Sequence, residues 1–124
     1  MIVHDLSIDT VNQMVRHDLA TVGDEPESAI GEFEFHGCAG GVASFTGQPP
    51  WEQHTAGDEL LLVLAGSTEL TVISEATRQL HAGDMASIPS GHWHRNDAPS
   101  GVTILHLTPT EGNRHSWQRP QTGS

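Results

Sequence analysis

The chain has 124 residues, with 16 acidic against 5 basic side chains and a formal charge of −11. That length suits one domain with a modest core. There is no lysine, and Arg16, Arg78, Arg95, Arg114 and Arg119 are scattered, so no basic face is expected to meet nucleic acid or an anionic membrane surface.

No apolar run approaches the ~20 residues of a membrane span. Cys38 is the sole cysteine, which leaves no intramolecular disulfide and suits a reducing compartment. The N-terminus lacks a basic segment followed by a continuous apolar one, so no signal peptide is evident and a cytoplasmic location is expected.

Residues 1–28 read as a polar N-terminal segment. Leu6, Val11, Met14 and Val15 form one weak helical face, with Asp9 or Thr10 as its cap. Asp24–Ser28 reads as a loop. Ala29–His36 alternates as a half-buried strand, Cys38–Gly41 is a turn, and Val42–Thr46 is a second strand. Gly47–Pro50 then turns the chain toward Trp51–His54.

Glu59–Ala65 is the strongest strand, apolar on both faces from Leu60 onward. Gly66–Ser67 is expected as a tight turn and Thr68–Ser74 as the returning strand. Shorter strands follow at Thr77–His81 and Met85–Ile88, with turns at Ala82–Asp84 and Ser90–Gly91. Asn96–Gly101 reads as a loop before a last strand, Val102–Thr108. Residues 29–108 thus form a β-domain, and 109–124 a partly ordered tail. Many short strands between turn signals predict an all-β sandwich or barrel with at most a short N-terminal helix.

The chemistry gathers between Gly47 and Asn96. Side chains alternate along a strand, so Glu52 and His54 point the same way. The short turn at 55–58 brings Glu59 back beside them, and His94 arrives from another strand after a proline-glycine turn. Two imidazoles with one or two carboxylates suit a divalent transition metal such as Fe, Mn, Ni or Zn. Asp58 is the rival carboxylate to Glu59. His92 is a candidate pocket acid/base, against the plainer reading of a rim histidine. His106, on an otherwise apolar strand, reads as a satisfied core histidine. Trp51 and Trp93 point away from the ligands by alternation and read as packing.

This stretch resembles the two sequence motifs of the cupin superfamily. In the first, G-x5-H-x-H-x(3,4)-E-x6-G, the residues His54, Glu59 and Gly66 match with both intervening gaps. Glu52 stands where the family has its first histidine, and Gly47 lies one residue closer than the pattern asks. In the second, G-x5-P-x-G-x2-H-x3-N, the residues Gly83, Pro89, Gly91 and His94 match, and Asn96 is early. The form WEQHxxGDELLxVLxG is similar to that of small single-domain bacterial cupins in which glutamate often holds the position of Glu52.

The resemblance implies a jelly-roll barrel with a metal held by Glu52, His54, Glu59 and His94. Three functions stay open. One is a metal-dependent enzyme of dioxygenase, lyase or isomerase type, acting on a small organic molecule with His92 or Glu52 moving protons. Another is a non-catalytic cupin that binds or senses a small ligand. The third is a relic that no longer holds metal. With Glu59 pointing inward, Leu60, Leu62 and Leu64 point outward. Either a second copy covers them in a homodimer, or the N-terminal segment folds over them.

Overall fold

The computed structural model describes residues 1–19 and 28–121, with side chains from 33 onward in the second stretch. The expected loop at Asp24–Ser28 and the side-chain faces of Ile30 and Glu32 therefore fall largely outside the described residues.

Among the described residues the one helix is α1 (Ile8–Asn12), which starts two to three residues earlier than a cap at Asp9 or Thr10 would place it. Ser7 is its N-cap. Asp5 reinforces the start by accepting from Ser7 N at 2.8 Å and from Thr10 Oγ1 at 2.7 Å. Asp9 and Thr10 lie inside the helix, where their side chains cannot cap it. Val11 is its buried residue, and α1 packs on the long strand β5 described below.

Among the described residues nine strands form one curled sheet: β1 (His17–Leu19), β2 (Ser28–Phe35), β3 (Cys38–Gly47), β4 (Trp51–His54), β5 (Glu59–Val72), β6 (Ala76–His81), β7 (Met85–Ile88), β8 (His94–Pro109) and β9 (Asn113–Ser116). Strands β5 and β8 are long and bent, and they pair antiparallel from Leu60↔Leu107 to Val72↔His94. β3 adds to the other side of β8 (Gly41↔His106), β7 and β6 pair with successive halves of β5, and β4 joins β8 at Glu52↔His94. Short β1 runs parallel to β3.

Three expected turns are displaced. The β2–β3 reversal is at His36 and Gly37, both at positive φ, and Cys38–Gly41 belongs to β3. Gly66 does not reverse the chain. It sits at φ +75 at an irregularity in β5, with the Gly101 carbonyl where a Cβ would stand. A positive-φ glycine serves a turn and a bulge equally. Here continued pairing with β8 makes it a bulge, so Thr68–Val72 extends β5 and does not return, and Ser74 falls in the turn that follows. Likewise Asn96–Gly101 lies within β8.

Alternation sets the core. Leu61, Val63, Leu70 and Val72 of β5 point inward with Val102 and Ile104 of β8, Phe45 of β3 and Ile88 of β7. The outer residues Leu60, Leu62 and Leu64 are half-buried. A second cluster lies outside the barrel, where Trp51, Ile73 and Trp93 pack together. Arg95 and Arg119 stack on Trp51, and Arg114 on Trp93. These cation–π contacts tie residues 114–119 down, and β9 pairs along the whole of β4. The 109–124 tail thus includes a strand that its polar sequence does not signal.

Candidate metal centre

The sequence brings the two motif segments together through local hydrogen bonds. Gln53, facing away from the cavity, donates from Nε2 to Gly91 O at 2.9 Å, and Gly91 N donates to His54 O at 2.8 Å. Asp58 accepts from Ser90 N at 2.9 Å. It therefore holds the second-motif turn and stays outside the cluster. These links set β4 against the start of β8, so that Glu52 lies directly across from His94.

Glu52, His54, Glu59 and His94 each present a ligand atom, and these atoms lie within 4.8 Å of one another. His94 Nε2 is 3.0 Å from Glu59 Oε1 and 3.7 Å from Glu52 Oε2. His54 Nε2 is 3.3 Å from Glu59 Oε2 and 3.6 Å from Glu52 Oε2. His54, Glu59 and His94 are buried, while the Glu52 side chain remains 34% exposed.

Both imidazoles are held from behind. Asn113 Nδ2 donates to Pro109 O at 2.7 Å, which turns its Oδ1 toward His54 Nδ1 at 2.8 Å. The Nδ1 of His94 lies 3.3 Å from the His92 carbonyl. Each partner only accepts, so each Nδ1 carries the hydrogen and each Nε2 faces the cluster, the orientation of a ligating imidazole. His54 Nε2 is buried with no aligned hydrogen-bond partner, and a buried polar atom of this kind is suited to ligate an ion. The donor set of two nitrogens and two carboxylates fits a divalent metal.

Without an ion the four groups share protons. Burial opposes charge on both histidines, but the adjacent carboxylates of Glu52 and Glu59 outweigh it. His54 is raised to about 10 and His94 to about 9. Burial likewise opposes ionisation of Glu52, yet His54 and His94 bring it down to about 2. Glu59 is held far below the usual carboxylate range by the same two partners.

The cluster opens on a cavity of about 490 Å³, within the size range of small-molecule sites. Phe45, Leu61 and Ile104 form an apolar wall, and Glu52, His106 and His115 are among its polar groups. No arginine among the described residues lines it. His92 lies outside this lining, its ring Nδ1 3.3 Å from Ser90 O. His106, expected in the core, instead faces the cavity because it sits opposite Leu61 in the β5–β8 register.

Sequence reasoning missed Thr108, Asn113 and His115. Thr108 Oγ1 donates to Glu59 Oε2 at 2.6 Å, and its place two residues beyond His106 on one strand face was a usable signal. β9 brings Asn113 opposite His54, and His115 opposite Glu52. That strand carries no apolar alternation to reveal it.

The cupin-domain family model matches residues 44–108, just over half of the chain and both halves of the cluster. The chain belongs to the cupin family. Over 54 residues this cupin is 39% identical to the uncharacterized protein YdbB of Bacillus subtilis strain 168. That match takes in 44% of this chain and 48% of YdbB, so the cupin spans about half the length of its curated relative. The fold is similar to a cupin-2 domain containing protein from Shewanella frigidimarina NCIMB 400, with a TM-score of 0.61 and 22% identity over 82% of this chain and 89% of that one. It is also similar to the DMSP lyase DddQ from Ruegeria pomeroyi DSS-3, with a TM-score of 0.62 and 24% identity over 78% of this chain and 53% of that one. At these identities the structural likenesses speak for the fold.

Proposed function

We propose that this cupin binds one divalent transition metal ion, Fe, Mn, Ni or Zn, through Glu52, His54, Glu59 and His94. On this reading it is a metal-dependent enzyme of dioxygenase, lyase or isomerase type acting on a small organic molecule in the barrel cavity. The observation that carries the reading is the convergence of the four ligand atoms within 4.8 Å, with both imidazoles oriented from behind. When bound, the ion supplies Lewis-acid or oxygen-activating chemistry.

The chain's own residues do the rest. The apolar wall admits the organic part of the substrate and excludes water. Asn113 and the His92 carbonyl aim the two imidazoles. Glu52 is the half-open member of the cluster, so it is the carboxylate placed to exchange a proton with a ligand at the mouth.

The test is metal content and turnover together. Purified protein should carry close to one transition metal per chain, and the double variant His54→Ala/His94→Ala should carry none. Stoichiometric metal in the double variant overturns the site. Metal without turnover of any small acid, alcohol or phenol, or any oxygen uptake, would favour a binding cupin over an enzyme.

The same reading includes a homodimer through the outer face of β5. Leu60 and Leu62 sit across from Leu107 and Leu105, and Met85, paired with Leu62, is 65% exposed. α1 covers part of β5, so the two covers considered from the sequence share the strand on this reading.

A further inference from the structure

Glu59 is tied to a second histidine that the metal cluster does not use. Thr108 Oγ1 donates to Glu59 Oε2 at 2.6 Å, and the same hydroxyl lies 2.9 Å from His106 Nδ1. A threonine hydroxyl has one hydrogen. An ionised carboxylate only accepts, so that hydrogen belongs to the Glu59 bond. The hydrogen in the second bond must then come from His106 Nδ1. The opposite tautomer would set two lone pairs against each other and lose the bond. In the neutral ring, Nδ1–H leaves Nε2 as a bare acceptor.

No group among the described residues bonds that Nε2, and the ring lines the cavity. Ala43, Phe45, Leu61 and Ile104 line one part of the space, and Asn96, Thr110 and His115 are among its polar lining. The cavity thus offers an apolar wall, a cluster suited to a metal and, among its polar groups, an acceptor whose tautomer is set by the chain Glu59–Thr108–His106.

We propose that His106 reads the ligand: its Nε2 accepts a hydrogen bond from a hydroxyl or N–H group on a small organic molecule whose apolar part meets Phe45, Leu61 and Ile104. The proposal rests on the preceding section for the cavity as the binding site, and Thr108 acts as a positioning residue through His106. A ligand that fills the cavity without the donor leaves Nε2 unpaired, and an unpaired polar group shut off from water costs affinity.

The experiment uses the full chain, metal-free and zinc-loaded, with phenol as probe and anisole as its counterpart lacking the donor. Long-range proton–nitrogen spectra of the histidine rings should show His106 as the Nδ1–H tautomer in both forms. Thr108→Val, close in shape, should turn it into a mixture. Phenol should bind more tightly than anisole by about 2- to 10-fold, the size of one neutral hydrogen bond. His106→Leu should abolish that preference while zinc content stays unchanged. An Nε2–H or doubly protonated His106 at neutral pH overturns the proposal. So does an unchanged tautomer in Thr108→Val, equal affinity for the two probes, or binding of neither. Zinc content is read on the same samples. An empty metal site with the Nδ1–H tautomer and the phenol preference intact would refute the metal reading and leave this one standing.

Discussion

Asn113 offers a direct test of how β9 serves the metal cluster. Its Oδ1 lies 2.8 Å from His54 Nδ1, and its amide is held by the Pro109 carbonyl at 2.7 Å. In Asn113→Ala both bonds vanish and nothing else among the described residues selects the ligating tautomer of His54. Loss of such an outer partner typically weakens metal binding by about 10- to 100-fold. Asn113 is exposed, so water can reach the freed Nδ1 and restore part of the loss. We therefore expect the lower half of that range, about 10- to 30-fold, or about 1.4–2 kcal/mol at about 1.4 kcal/mol per tenfold. Competition for zinc between metal-free protein and a chromophoric chelator measures this, with thermal unfolding followed alongside. Asn113→Asp keeps an acceptor facing Nδ1 and should stay near wild type. Zinc affinity of Asn113→Ala within twofold of wild type, with the protein folded, would refute the reasoning.

Metal binding should release the protons on His54 and His94, so zinc affinity should rise with pH across the neutral range; a pH-independent affinity would contradict the shared-proton arrangement. The metal-free protein should have a stability optimum. His54 and His94 are raised from 6.5 to about 10 and about 9, so their contribution is complete below pH 6.5 and lost as pH climbs through 9 to 10. Glu52 is lowered from 4.5 to about 2, so its contribution is present above pH 4.5 and lost as pH falls toward 2. Urea midpoints should therefore peak between those limits, and a midpoint still rising from pH 7 to 10 would contradict this. Gly66→Ala should destabilise the fold by about 3 kcal/mol, because the new Cβ meets the Gly101 carbonyl at φ +75; an unchanged urea midpoint would show that the bulge is pliable. Light scattering should give twice the 13.3 kDa chain mass, and Leu62→Glu should shift it toward one chain by placing a charge in the apolar interface. A mass near 13.3 kDa across micromolar concentrations would reject the dimer.

Much of the β-domain and the four-residue cluster was legible in the sequence because both depend on short-range rules. Period-two alternation alone puts Glu52 and His54 on one face and turns Trp51 away from it. Gap lengths bring Glu59 and His94 to the same place through turns that Pro89 and Gly91 specify. The apolar runs of β5 and the end of β8 mark the core strands by composition. Tertiary pairing decided the rest. Gly66 could close a hairpin or bend a strand, and only the register of β5 against β8 chose the bend. Asn96–Gly101 is polar and reads as loop, yet Asn96 and Ala98 are held inside β8 by Leu70 and Gly47, far along the chain. β9 has no apolar pattern because it binds through its backbone and through Asn113 and Arg114, whose partners His54, Gln53 and Trp93 lie some 20 to 60 residues earlier. His106 shows the limit most plainly. Its strand was visible, but whether its ring met the core or the cavity depended on which residue of β5 lay opposite, and no local spacing encodes that.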